Sequence, residues 1–263
     1  MMTKLGTAVV TGASAGIGAI YADRLARRGY DLILVARNRE RLDKLARKLS
    51  DETGRAVQVV VADLGKAADV TKVETLLRTD ASITALVNNA GVGAVQPLLE
   101  ADIDVMEAMI DLNVTALTRL TYAAVPGMVS RGKGTIINIS SIVAIGPEIM
   151  NGVYGASKAY VLALTQSLKH ELADKGIIVQ AVLPGATATD FWEVSGRPVE
   201  HLPSQIVMTA ENLVDAALAG LDQGELITLP AVPDAADVAA LEQARQTLLP
   251  NLSHTKPAAR YGV

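Results

Sequence analysis

Short runs of aliphatic and β-branched residues alternate along this chain with segments whose apolar positions recur every third or fourth residue, the two periods that separate strand from helix. "KLGTAVVTG" (4–12) reads as a strand ending on glycine, and residues 16–28 carry Ile17, Ile20, Tyr21 and Leu25 at helical spacing. "DLILVA" (31–36) is a near-continuous apolar strand, the kind covered on both faces. A charged helix follows over 39–50, with Leu42, Leu45 and Leu49 in one stripe. The alternation continues with a strand at 56–62, a helix at 66–78 and the strand "ITALVNNAG" (83–91). A long helix is expected over about 103–125, then a strand at 134–141, a helix over about 153–174 and a strand at 176–185. Residues 186–209 hold neither period. A helix at 209–221 with Thr209 as its cap, a short strand at 225–229 and a helix over 234–248 complete the pattern.

Repeated β-α units without a charged or Pro/Gly-rich linker predict one α/β domain over 1–250, with a loop insertion at about 186–209 and a tail at 251–263. The expected fold is a Rossmann-like, doubly wound parallel sheet with helices on both faces, a three-layer α/β/α arrangement. Composition agrees: of 263 residues, 50% are hydrophobic and only 3% aromatic, so the core is built from Ala, Val, Leu and Ile. A net charge of -4 gives no footing for a nucleic-acid partner. The absence of cysteine excludes disulfides and thiolate metal sites. The three histidines match no metal-ligand spacing. The opening residues show no signal-peptide pattern and the apolar runs are too short to cross a bilayer, so a cytoplasmic protein with no membrane partner is expected.

In such a sheet, ligands bind beyond the carboxyl ends of the strands. There "TGASAGIG" (11–18) joins the first strand to the first helix. Gly12, Gly16 and Gly18 suit a tight turn and close backbone approach, and the helix start offers free N–H groups to a diphosphate. Three residues, rather than the usual one, separate the first two glycines, and the GKS or GKT ending of a nucleoside-triphosphate loop is absent. The second strand ends in "VARNRERL". An acid there would accept from a ribose 2′-hydroxyl; Arg37 instead suits a 2′-phosphate, favouring NADP(H) over NAD. Arg41 is expected on the solvated face of the next helix.

"NGVYGASKAY" (151–160) places Tyr154 and Lys158 one helical turn apart. A phenol ionises near ~10, too high for acid–base work at neutral pH, and a neighbouring cation favours the phenolate. The preceding strand ends in "NISS" (138–141), which delivers hydroxyls to the same cleft.

Taken in order with "NNAG" (88–91), Asn113 in "LNV" and "PGATAT" (184–189), these motifs resemble the short-chain dehydrogenase/reductase family over nearly the whole chain to about residue 230. The resemblance implies Tyr154 as proton donor in carbonyl reduction, Lys158 as the cation that lowers its pKa and holds the nicotinamide ribose, and Ser141 as hydrogen-bond donor to the substrate oxygen. Asn113 would sit in a kink of the long helix and position a water behind Lys158. Ser140, one position away from the family's spacing, is expected to be structural. For the cofactor, the resemblance implies contacts from Gly12, Ser14, Ala15, Gly16, Ile17, Gly18 and Arg37, and from Asp63 and Leu64 beside the adenine. Asn89, Ala90 and Gly91 would lie on the adenosine side, and Pro184, Gly185, Thr187 and Thr189 around the nicotinamide. It further implies a homodimer or homotetramer built on the long helix and the Tyr154 helix.

Residues 186–209 contain the only Phe and the only Trp, Phe191 and Trp192, and would form the substrate loop; packing and substrate contact are both open to them. His201 in this loop is a candidate substrate contact, whereas His170 is expected on a helix surface. The expected activity is NADPH-dependent reduction of a modest, hydrophobic ketone or aldehyde. An NAD-dependent secondary alcohol dehydrogenase and a non-catalytic dinucleotide-binding protein are the alternatives.

Overall fold

The computed structural model describes residues 5–263, so Lys4, the first residue of the expected opening strand, lies outside the described residues. The first half alternates strictly: β1 (Thr7–Thr11), α1 (Gly16–Arg27), β2 (Asp31–Ala36), α2 (Arg39–Thr53), β3 (Val57–Val61), α3 (Ala67–Thr79) and β4 (Ile83–Asn88). The long helix is composite: α4 (Ile103–Ile110), a π-helical stretch (Asp111–Ala116) and α5 (Leu117–Ser130). β5 (Gly134–Ile139), α6 (Gly152–Glu171) and β6 (Ile177–Val182) follow. The segment without periodicity holds only short pieces, among them β7 (Thr187–Ala188), α7 (Phe191–Val194) and β8 (Met208–Thr209). α8 (Ala210–Asp222), β9 (Ile227–Thr228) and α9 (Ala235–Leu248) come last.

Seven strands form one parallel sheet in the order β3-β2-β1-β4-β5-β6-β9. Alternate strand residues supply opposite faces. Val10, Leu32 and Leu34 pack with α1, α2 and α8 on one side. Val9, Ile33 and Val35 pack with α3, α5 and α6 on the other. Burial on both faces explains why the strands read as apolar runs rather than alternating ones. The strand order reverses between β1 and β4, and the crevice at that switch point is where such sheets bind ligands.

The chain divides into two compact units, one ending at Pro230 and the other running from Ala231 to Val263. In the second, Asp234 caps α9 by accepting from the Ala236 N–H at 2.8 Å, and no residue of α9 is buried. Among the described residues, no helix is long and apolar enough to cross a membrane.

Candidate active site

Two of the glycines after β1 adopt left-handed backbone, Gly12 at φ 65° and Gly16 at φ 53°. Gly18 is needed for another reason: a Cβ there would overlap the Gly12 carbonyl and stand 2.5 Å from Asn89 Nδ2. Ala15 occupies the N-cap of α1 and offers no side-chain acceptor, so the helix's first N–H groups face the crevice without a protein cap. This turn, with Ser14 and Ile17 inside it, is locked to β4 by a residue the sequence motifs did not single out. The Thr11 hydroxyl accepts from the Asn89 and Ala90 N–H groups at 2.9 and 3.0 Å and donates to the Val87 carbonyl at 3.2 Å. Asn89 Nδ2 returns a bond to the Thr11 carbonyl at 2.9 Å. A hydroxyl at a strand end directly before a glycine turn was the available signal.

Around this crevice stand the remaining expected cofactor residues. Arg37 is exposed just past the end of β2 and has no ion pair among the described residues. Beyond β3, Asp63 accepts the Gly65 N–H at 3.1 Å, and Leu64 is buried behind it. Gly91 sits against the catalytic side: a Cβ would come within 3.0 Å of Asn113 Oδ1 and 3.4 Å of Lys158 Nζ. Past β6, the Pro184 carbonyl accepts the Ile142 N–H at 3.0 Å, and the Gly185 carbonyl accepts the Thr187 hydroxyl at 3.1 Å. The Thr189 side chain approaches the Gly16 turn, so the loop after β6 and the loop after β1 face each other.

Asn113 lies in the π-helical stretch, whose wider turn breaks the regular helix at the buried site. Its amide clamps the β4 loop, accepting from the Val92 N–H at 3.0 Å and donating to the Val92 carbonyl at 2.9 Å; it also donates to Ser157 Oγ at 3.1 Å. Ser157 in turn donates to the Tyr154 carbonyl at 2.8 Å, so it ties the π-helical stretch to α6. Ser140 has a similar office: its hydroxyl donates to the Lys158 carbonyl at 2.7 Å, while Lys158 Nζ donates to the Ile139 carbonyl at 3.0 Å. Beneath it, Asn138 bonds both Asn88 on β4 and Thr165 on α6, at 2.9 and 3.0 Å. The end of β5 is thereby fixed in register against α6.

Ser140 and Ser141, just past the end of β5, take different partners: Ser140 the Lys158 carbonyl and Ser141 the Pro184 carbonyl. Burial pushes the Tyr154 phenol up to about 12, against a smaller lowering influence from Ser141, whose hydroxyl donates to the Pro184 carbonyl at 3.4 Å. Burial also pulls the Lys158 ammonium down from 10.5 to about 8, with its Nζ 5.9 Å from the centre of the Tyr154 ring. Tyr154 packs with Ala94, Met106, Met109 and Val143, and Phe191 of α7 covers it at a ring separation of 5.8 Å. Trp192 is buried and its indole N–H donates to the Thr187 carbonyl at 2.9 Å, which anchors α7. Trp192 is therefore a packing residue and Phe191 faces the site. His201 and His170 are both exposed.

A hydroxyl pair beside a buried lysine, at the strand ends of a doubly wound sheet, defines an oxidoreductase site of the α/β class. The sequence matches the family model described as short chain dehydrogenase over residues 6–199, and the chain belongs to that family. Its fold is similar to a short-chain dehydrogenase from Sphingobium yanoikuyae in complex with NADPH, with TM-score 0.93 and 49% identity over 97% of this chain and 98% of that one. A "bulky-bulky ketone specific alcohol dehydrogenase" from Comamonas testosteroni is similar at TM-score 0.90 and 45% identity, over 98% of this chain and 99% of that one. Among curated proteins, a very-long-chain 3-oxoacyl-CoA reductase from Anas platyrhynchos is 36% identical over 80% of this chain and 67% of its own length.

Proposed function

We propose that this protein reduces the carbonyl of a hydrophobic ketone or aldehyde with NADPH as cofactor. The residues fit the dinucleotide: the crevice at the sheet's switch point has a tight glycine turn, helix N–H groups without a side-chain cap, and, just past the end of β2, Arg37 with no ion pair among the described residues. The similar Sphingobium yanoikuyae enzyme was solved in complex with NADPH, which supports the same choice here. When bound, the reduced nicotinamide supplies a hydride.

The protein's own part is to orient the carbonyl and deliver a proton. Ser141 and Tyr154 donate hydrogen bonds to the carbonyl oxygen, where charge develops. Tyr154 then gives up its proton. The lowering expected from Lys158 is not what the structure gives: burial holds the phenol at about 12, so Tyr154 keeps its proton at neutral pH until an oxyanion is there to take it. Lys158, buried and hydrogen-bonded to Ile139, restores the proton from behind, and Asn113 holds the π-helical wall of that path. Tyr154 is bedded in the apolar cluster of Val143, Met106 and Met109 with Phe191 over its ring, a setting that favours an uncharged, hydrophobic substrate. The exposed Ile103, Val105 and Ile110 of α4, Tyr122 of α5 and Tyr160 of α6 supply the face through which we expect the chain to form a homodimer or homotetramer.

Tyr154 set beneath Phe191 in an apolar cluster, with the buried Lys158 ammonium 5.9 Å from its ring centre, carries this proposal. Tyr154→Phe keeps the ring and removes the acid. Turnover of ketones is expected to fall to background, while titration by reduced-nicotinamide fluorescence shows NADPH binding unchanged. Full activity in that variant would overturn the proposal.

A further inference from the structure

Arg41 does not simply face solvent. From the first turn of α2, its Nη1 donates to Asp190 Oδ2 at 2.8 Å, a contact between residues 149 positions apart. The two ends of this bridge stand on opposite sides of the crevice. Arg41 is held beside the end of β2 by its own N–H, which donates to the Asn38 side chain at 3.0 Å, with Arg37 just before that cap. Asp190 directly follows Thr189, whose side chain lies against the Gly16 turn, and directly precedes Phe191, which covers Tyr154. An acid of the substrate loop therefore reaches back to the corner where the ribose of a dinucleotide sits.

We propose that Asp190 is a specificity-determining residue for the choice between NADPH and NADH, and that it acts by competing for Arg41. This rests on the cofactor assignment above. The bridge is easily surrendered: its partners are 55% and 63% exposed, and such pairs contribute little. It is also single-pronged, with Nη1 the only atom of the guanidinium bonded to Asp190, so Arg41 keeps donors to spare. A 2′-phosphate is a stronger partner for a guanidinium than a lone carboxylate, because it carries more charge and three acceptor oxygens. When the phosphate draws on Arg41, the carboxylate of Asp190 loses its partner and stands beside a like charge. Asp190 thus opposes NADPH specifically and leaves NADH, which has no 2′-phosphate, untouched. Arg37 before the cap and Arg39 at the start of α2 make the corner attractive overall, and Asp190 sets how far that attraction goes.

The test is calorimetric titration of NADPH and NADH into wild type, Asp190→Asn, Arg41→Gln and the double variant. All the changed side chains are exposed, so the fold is retained. Asp190→Asn is expected to tighten NADPH by about threefold to tenfold and to leave NADH within a factor of about two, with the gain shrinking as salt is raised. Arg41→Gln is expected to weaken NADPH, and in its background Asp190→Asn should bring little further gain. Weaker NADPH binding in Asp190→Asn would overturn the inference. So would equal shifts for the two cofactors, or the full gain persisting without Arg41. A wild type that shows no preference for NADPH overturns the cofactor assignment itself, and the first pair of titrations reveals that separately.

Discussion

Lys158→Met is expected to make the protein more stable and inactive at once. The ammonium is 6% exposed, donates to one carbonyl at 3.0 Å, and has its pKa drawn from 10.5 to about 8 by burial alone. At ~1.36 kcal/mol per pKa unit, keeping it protonated in the fold at pH 7 costs on the order of 3 kcal/mol. Methionine is of similar length and carries no charge. It forfeits the bond to the Ile139 carbonyl, worth about 1 kcal/mol, so the net gain is about 2 kcal/mol. For a chain of this size that raises the melting temperature by roughly 4–8 °C.

The sign with pH follows from proton counting. Between about 8 and 10.5 the unfolded chain holds the lysine proton and the folded chain has released it, so the wild type gains stability as pH rises through that window. Below it the penalty is complete, and above it the penalty is gone. Urea unfolding of both proteins without added cofactor, at pH 7 and again at pH 10, measures the difference. The advantage of methionine should be largest at pH 7 and should vanish or reverse by pH 10. A methionine variant less stable than wild type at pH 7, or an advantage that does not change with pH, would refute the claim that the site holds a destabilised charge.

Two further substitutions probe the walls of the site. Gly18→Ala places a methyl on the Gly12 carbonyl and is expected to destabilise the fold by about 1–3 kcal/mol while abolishing NADPH binding, measured by thermal melting and fluorescence titration. Phe191→Ala uncovers Tyr154 and opens the space above Gly93, against which the ring packs. It should raise kcat/KM for bulkier ketones relative to small ones, read from competition assays with a ketone series; an unchanged ratio would show that the ring does not border the substrate.

Much of the sheet was legible because parallel strands covered on both faces need uninterrupted apolar runs. "DLILVA" gives β2 over the expected residues, and "AVQVVVA" gives β3 within one residue at each end. The long helix was legible as a helix, and the family resemblance put a kink at Asn113, but its π-helical form and its run to Ser130, past the expected end near 125, were not. Its π-helical stretch keeps apolar residues on the buried side, so the periodicity hardly changes, and the extra residue per turn is fixed by what Asn113 bonds across the site. The short pieces in 186–209 were illegible for a different reason. They are held by single contacts such as the Trp192 indole on the Thr187 carbonyl five residues before it and the two-residue pairing of β7 with β8, which leave no repeat in sequence.

The candidate site shows the same division. Residue types at strand ends announced the hydroxyl pair and the lysine, because chemistry restricts which side chains can serve. The residues that hold them in place are less restricted, and so are harder to see. Ser140 on the Lys158 carbonyl, Ser157 between Asn113 and Tyr154, and Thr11 across β1 and β4 are each a hydroxyl whose worth depends on a partner many positions away. Arg41 carries the point furthest. In sequence it is one more charge on a polar helix face, and its pairing with Asp190 exists only because the loop after β6 reaches back across the strand ends to the start of α2. A charge whose role comes from topology can be assigned only once the topology is known. That is why the expected determinant of cofactor choice was Arg37 alone, and why the carboxylate proposed to compete for Arg41 lies in the substrate loop.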